Sequence, residues 1–202
     1  KLTATGTKDA TTFLRGDNTF AEAGGGAMTL LQAQTASNSA TIDFTSNFST
    51  AYDVYRLDII QCIPTDDAAY FTVALSDDGG SSWGGSGDYN VGVIAYDGSV
   101  SYGNHDSNVF YTNGDSGTLQ GNAGILESLS GTWYFYGLED GNHPHVSWQM
   151  AYGNVSGEAT INIGSGIFQG STNDIDGIRI LYTSAGGNIV SGKFRLYGIK
   201  NS

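Results

Sequence analysis

Between Arg56 and Arg179 the chain has no lysine and no arginine, and its 202 residues include one cysteine and two prolines. Each scarcity excludes something. A phosphate backbone is gripped by Lys and Arg with release of counterions, so so long a cation-free stretch, in a chain of net charge -12, excludes nucleic acid as a partner and opposes an anionic membrane surface. The same gap offers a trypsin-like protease no cleavage site, which suits life outside a cell. Cys62 stands alone, so an intramolecular disulfide and a thiolate zinc site are both ruled out, and the fold must rest on packing, hydrogen bonds or an oligomeric partner. No run of roughly 18 apolar residues occurs, so no membrane insertion is expected. No signal peptide is evident, and a first residue of Lys in place of Met reads as a fragment or a processed chain.

What is abundant points to β-structure. Thirty glycines, 12 tyrosines and 9 phenylalanines suit short aromatic strands joined by tight turns. In residues 145–152, Val146, Trp148, Met150 and Tyr152 alternate with His145, Ser147, Gln149 and Ala151, the period of a half-buried strand. Comparable alternation at 28–35, 40–44, 55–63, 70–76, 91–96, 131–138, 159–163, 175–182 and 192–199 predicts about ten strands and no long helix. The expectation is an all-β protein, a two-sheet antiparallel β-sandwich, with a jelly roll as its topology. Residues 1–23 carry only Leu2, Phe13, Leu14 and Phe20 as large apolar groups, too few to bury a core. They form an N-terminal junction or trimerisation segment, 24–27 a glycine-rich hinge, and 28–202 the sandwich domain. Residues 130–138 and 191–199 echo one another (SGTWYFYGL and SGKFRLYGI), a single pair that reads either as equivalent strands or as coincidence.

Ser76-Asp77-Asp78-Gly79-Gly80-Ser81-Ser82-Trp83 resembles the Asp box of sialidases. The spacing lets an Asp carboxylate fold back onto backbone N–H groups, a glycine take positive φ and the Trp pack beneath, so the motif builds a turn. It occurs once, in a chain too short for a six-bladed propeller, and a sialidase is not expected. Asp77 and Asp78 are adjacent carboxylates, but the calcium-loop spacing is missing. His143 and His145, two apart on extended backbone, lie roughly 7 Å from each other on one face and form the candidate metal pair. The Gly-x-His-x-His pattern around them resembles the iron-binding repeat of some trimeric phage tail-fibre tips, which would imply iron there; exposed loop histidines are the alternative. No cofactor is otherwise expected. There is no Gly-x-Ser-x-Gly elbow and no recommended Cys/His pairing, and His105 beside Asp106 reads as a loop pair, so the chain is not expected to be an enzyme.

Residues 6–21, Gly-Thr-Lys-Asp-Ala-Thr-Thr-Phe-Leu-Arg-Gly-Asp-Asn-Thr-Phe-Ala, resemble the junction peptide of many bacteriophage tail-fibre and virion-fibre proteins, whose recurrent core is Phe-Leu-Arg-Gly-Asp-Gly followed by Thr-Trp or Ser-Trp. Asn18 replaces the usual Gly and tolerates a left-handed backbone; Phe20 replaces the Trp and keeps an aromatic anchor. The segments 28–63, 76–82 and 191–200 are similar to the C-terminal domains of phage structural proteins. The resemblance implies a terminal head of a homotrimeric fibre on the tail or capsid, on the virion exterior. It would contact other virion structural proteins and adhere to a host-surface receptor, a glycan being the expected ligand. Trimer contacts would fall on Phe13, Leu14, Arg15, Asp17 and Phe20, with Arg15 and Asp17 pairing between subunits. The turn-rich stretches 83–90 and 96–111 offer Trp83, Tyr89, Tyr96, Tyr102, His105 and Tyr111 as sugar platforms. A capsid-decorating or fibre protein without a specific ligand, and a polysaccharide-degrading enzyme, are the alternatives.

Overall fold

The computed structural model describes residues 3–7, 12–22, 27–66, 69–96, 100–112, 128–153, 159–183 and 187–201; at 21, 22 and 100–107 the backbone alone is described. In chain order the strands are β1 (Thr12–Leu14), β2 (Phe20–Glu22), β3 (Met28–Ser39), β4 (Thr41–Phe44), β5 (Tyr52–Pro64), β6 (Tyr70–Ser76) and β7 (Tyr89–Tyr96). They continue as β8 (Val100–Ser107), β9 (Phe110–Tyr111), β10 (Leu129–Tyr136), β11 (His145–Gly153), β12 (Ala159–Phe168), β13 (Gly177–Thr183) and β14 (Ile189–Lys200). No helix occurs among the described residues, so none is long and apolar enough to cross a membrane.

Two antiparallel sheets form a β-sandwich. The larger has the order β3-β14-β5-β10-β11-β12-β7-β8 and the smaller β4-β13-β6-β9, while β1 and β2 pair separately. Strands with period-2 alternation present one apolar face, and two such faces exclude water only by packing on each other. Accordingly Tyr55, Leu57, Trp133, Phe135, Trp148 and Phe194 of the large sheet share one buried cluster with Ile42, Phe44, Phe71, Phe110 and Ile180 of the small one. Each such side chain contributes roughly 1.5–3 kcal/mol by leaving water. Trp133 and Trp148 stack at 4.4 Å between centroids, a cross-strand pair in the β10–β11 register. The Trp148 indole N–H donates to Asn162 Oδ1 at 2.6 Å, and Asn162 Nδ2 donates to the Thr112 carbonyl, so the buried polar atoms there are paired.

All ten expected strands exist. Four more, β1, β2, β8 and β9, come from stretches whose polar or short composition hides the alternation. The expected loop at 96–111 is corrected: β8 runs through Ser101, Gly103, Asn104 and Asp106 because the edge of β7 supplies its partners from Tyr89↔Ser107 to Tyr96↔Val100. The echoing segments 130–138 and 191–199 contribute β10 and β14, the two neighbours of β5 in one sheet. Gln61, at φ 49, bulges from β5 and donates its N–H to Ser130 Oγ at 2.9 Å.

Candidate functional site

The outer face of the large sheet carries the most site-like arrangement. On β10, Trp133 and Phe135 point into the core, so Thr132, Tyr134 and Tyr136 point out. Register then lays a row of outward residues across five strands: Arg56 on β5, Tyr134, Ser147 on β11, Ser165 on β12 and Gly92 on β7. The Arg56 guanidinium lies 5.9 Å from the Tyr134 ring centroid and its Nε donates to Asp58 Oδ1 at 2.8 Å. Asp58 also accepts from Thr132 Oγ1 at 3.2 Å. Tyr134 and Tyr136 stack at 6.3 Å with an interplanar angle of 19°, and the Tyr136 hydroxyl lies 3.1 Å from Ser147 Oγ.

Beyond Ser147 the row sinks. Gly92 lacks a side chain and Ser165 has a short one, and a groove of about 550 Å³ opens there, lined by Asn90, Gly92, His145, Val146, Ser165, Gly166 and Ile167. A Cβ added at Gly92 would meet nothing within 4 Å, which marks it as floor. Next along the strands stand Ile94 and Ile163, register partners and each 49% exposed. Tyr136 stands on the other side, opposite His145 on β11. The lining therefore combines one imidazole, the aliphatic Val146 and Ile167 and neutral hydroxyl and amide groups, with Tyr136, Ile94 and Ile163 at flanking positions on the same outer face. A smaller depression of about 320 Å³ at the Gln61 bulge, lined in part by Ile60 and Lys193, has no ring in its lining.

Of the six aromatic and imidazole candidates, three make packing contacts within the domain, and Tyr89 is corrected to a core residue. Tyr89 is fully buried: its hydroxyl accepts from the Leu75 N–H at 2.9 Å, its ring meets Phe110 edge-on at 4.8 Å, and burial pushes its phenol far above the ordinary value. No sugar reaches it. Trp83 is half-buried with its ring face covered by the Arg179 guanidinium, 4.2 Å from the centroid. Tyr111, also half-buried, packs edge-to-face on Tyr70 at 6.1 Å. Tyr96 stands exposed on the outer face opposite Ile161, two outward positions from Gly92. Tyr102 and His105 lie on β8, with side chains outside the described residues. Reasoning from turn-rich stretches missed Tyr134 and Tyr136, although their alternation with Trp133 and Phe135 carries the signal.

The Asp-box-like segment builds the turn its spacing predicts. Asp78 Oδ1 accepts the Ser82 N–H at 2.8 Å and Oδ2 accepts the Ser82 hydroxyl at 2.6 Å, while Gly79 and Gly80 take φ 72 and 84. These hydrogen bonds, led by Ser82, hold the Asp78 carboxyl down to about 2. Asp77 turns elsewhere, accepting from Ser171 Oγ at 2.6 Å and Asn173 Nδ2 at 2.9 Å, so the adjacent carboxylates do not converge on a cation. His143 and His145 are both exposed on either side of buried Pro144, and His145 faces the groove. Among the described residues, no group of three or more His, Cys, Asp or Glu side chains is placed to hold a metal ion.

At the N-terminal segment, Arg15 donates its N–H to the Thr19 carbonyl at 2.8 Å and Asn18 donates to the Arg15 carbonyl at 3.0 Å, closing the β1–β2 hairpin. Asn18 takes φ 66, the left-handed conformation expected of the residue replacing Gly. Asp17 Oδ1 accepts the Thr19 N–H at 3.0 Å and the Thr19 hydroxyl at 2.6 Å, and these bonds lower its pKa. That carboxylate oxygen thus serves the turn of its own chain. Phe13 and Leu14 stay 48% and 45% exposed, and Phe20 is half-buried. Among the described residues no buried core side chain precedes Ala36. No protein-family model matches the chain, and no curated protein sequence matches it significantly.

Proposed function

We propose that the chain is the head domain of a bacteriophage virion fibre, a homotrimeric jelly roll that adheres to a host-surface glycan through the outer face of its large sheet. The observation that carries this reading is the N-terminal hairpin. Its Phe-Leu-Arg-Gly-Asp segment leaves Phe13 and Leu14 exposed, and among the described residues the buried core of the sandwich takes no side chain from it. A segment of this kind gains order by packing on copies of itself, and symmetric oligomers provide those copies. The jelly-roll topology is supported by the strand order: β3-β14-β5-β10 faces β4-β13-β6-β9, and successive strands of these two sets alternate between the sheets except at β6 and β9, which pair with each other in the smaller one. Two hairpin partners, β7–β8 and β11–β12, widen the large sheet beyond that framework. Three heads on one stalk make weak single sites useful, because the second and third contacts are intramolecular.

The test has two arms. Light scattering of the purified chain is expected to return three times the subunit mass of 21.2 kDa at micromolar concentration, and gold-labelled antibody against it is expected to decorate fibre ends on purified virus particles. A monomer with residues 1–23 intact, or particles that carry no label, overturns the reading.

A further inference from the structure

The strands that build the outer groove, β7, β11 and β12, together with adjoining β8 and β10, all fall within the stretch between Arg56 and Arg179 that contains no lysine or arginine. We infer that the groove is a subsite for a neutral glycan, built of hexoses or N-acetylhexosamines without carboxylate, sulfate or phosphate groups; this rests on the adhesion reading and specifies its ligand. An anionic sugar gives up hydration on entering a groove and recovers it only through charge-assisted hydrogen bonds, usually from Arg or Lys. Among the described residues the lining contains neither. The cation nearest along the row, Arg56, is already held by Asp58 at 2.8 Å and covers Tyr134. At long range the net charge of -12 repels a polyanion before it docks.

A neutral sugar loses nothing by these absences. Its hydroxyls match the exposed Asn90 amide and Ser165 hydroxyl of the lining, and its C–H face matches the exposed Tyr136 ring and the Ile163 and Ile94 side chains that flank the groove. The groove volume of about 550 Å³ lies within the roughly 300–1,000 Å³ typical of small-molecule sites.

The experiment applies the intact chain, at neutral pH, to an array of neutral oligosaccharides and their sialylated, uronic-acid and sulfated counterparts. Binding is expected on neutral members, with little change as salt rises, because screening acts on charge pairs. Gly92→Tyr fills open space on an exposed strand position and is expected to weaken that binding by about tenfold or more at an unchanged melting temperature. Tyr136→Ala is expected to weaken it as well, and Ser165→Trp replaces Gly92→Tyr should the latter fail to fold. Signal confined to acidic members overturns the neutral-ligand inference and leaves adhesion standing. Binding that survives every groove variant overturns the location, and silence across the array overturns the inference and the adhesion reading together, while particle labelling tests fibre identity separately.

Discussion

Asp78 is a surface carboxylate that the turn around it converts into an acid-stable cap. Its folded pKa, about 2 against an ordinary 3.8, lies below the unfolded value. The stabilisation it provides is therefore fully present above the unfolded value and fades as pH falls towards 2. Asp78→Asn is expected to lower the melting temperature at neutral pH, with the difference from the unsubstituted chain shrinking steadily in an acid titration followed by circular dichroism. Two glycines of the large sheet form a contrasting pair. A Cβ on Gly164 would collide with the Trp148 indole, whereas one on Gly92 meets open space. Gly164→Ala is expected to cost about 1–3 kcal/mol by overpacking, and Gly92→Ala to be neutral or stabilising by up to about 1 kcal/mol, both read from denaturant unfolding. The alternation of Val91 and Val93, extended one step back, already placed Tyr89 inside; the turn signals around it concealed this.

Among the elements, β13 ties the small sheet to the Asp-box turn through one side chain. Arg179 on β13 makes a fork with Asp43 on β4, Nε at 2.8 Å and Nη2 at 2.7 Å, while its guanidinium plane covers Trp83 from the turn. Lys has neither the planar fork nor the stacking surface. Arg179→Lys is expected to destabilise by about 1 kcal/mol, measured in urea, and to quench or shift Trp83 fluorescence against a Trp83→Phe control. The segment Ser76–Trp83 was legible because the hydrogen bonds that Asp78 makes to close the turn are local, spanning at most four residues, whereas the Gly79 N–H bond to Asp176 Oδ1 at 2.8 Å comes from a distant loop that the segment does not encode. β8 was not legible. Its residues have low strand preference, and what makes them a strand is the open edge of β7 beside them.

For the whole molecule, Cys62 reports on the sandwich. It is fully buried between the sheets, its sulfur 3.3 Å from the Tyr182 hydroxyl, and burial pushes its thiol up to about 12. Thiol reagents act on the thiolate, so native protein is expected to resist labelling at neutral pH and to react at the rate of global unfolding; rapid labelling under native conditions would show that the sheets separate locally. At the other end, Phe13→Asp with Leu14→Asp is expected to turn the proposed trimer into monomers in light scattering without lowering the unfolding midpoint of Cys62 labelling, because neither side chain belongs to the core.

The period-2 alternation, the turn at Arg15–Asn18, the Asp78 closure of the Asp-box turn and the long gap without cations are local properties, decided by neighbours a few residues apart, and the amino-acid sequence determines them unaided. It also separates the two faces of each strand. Which face meets water, and which strands become neighbours, depends on contacts between residues scores of positions apart, such as Gly92 with Ser165 or Arg56 with Tyr134. The groove exists only because tertiary pairing sets two small residues from distant strands side by side, and no local pattern encodes that meeting.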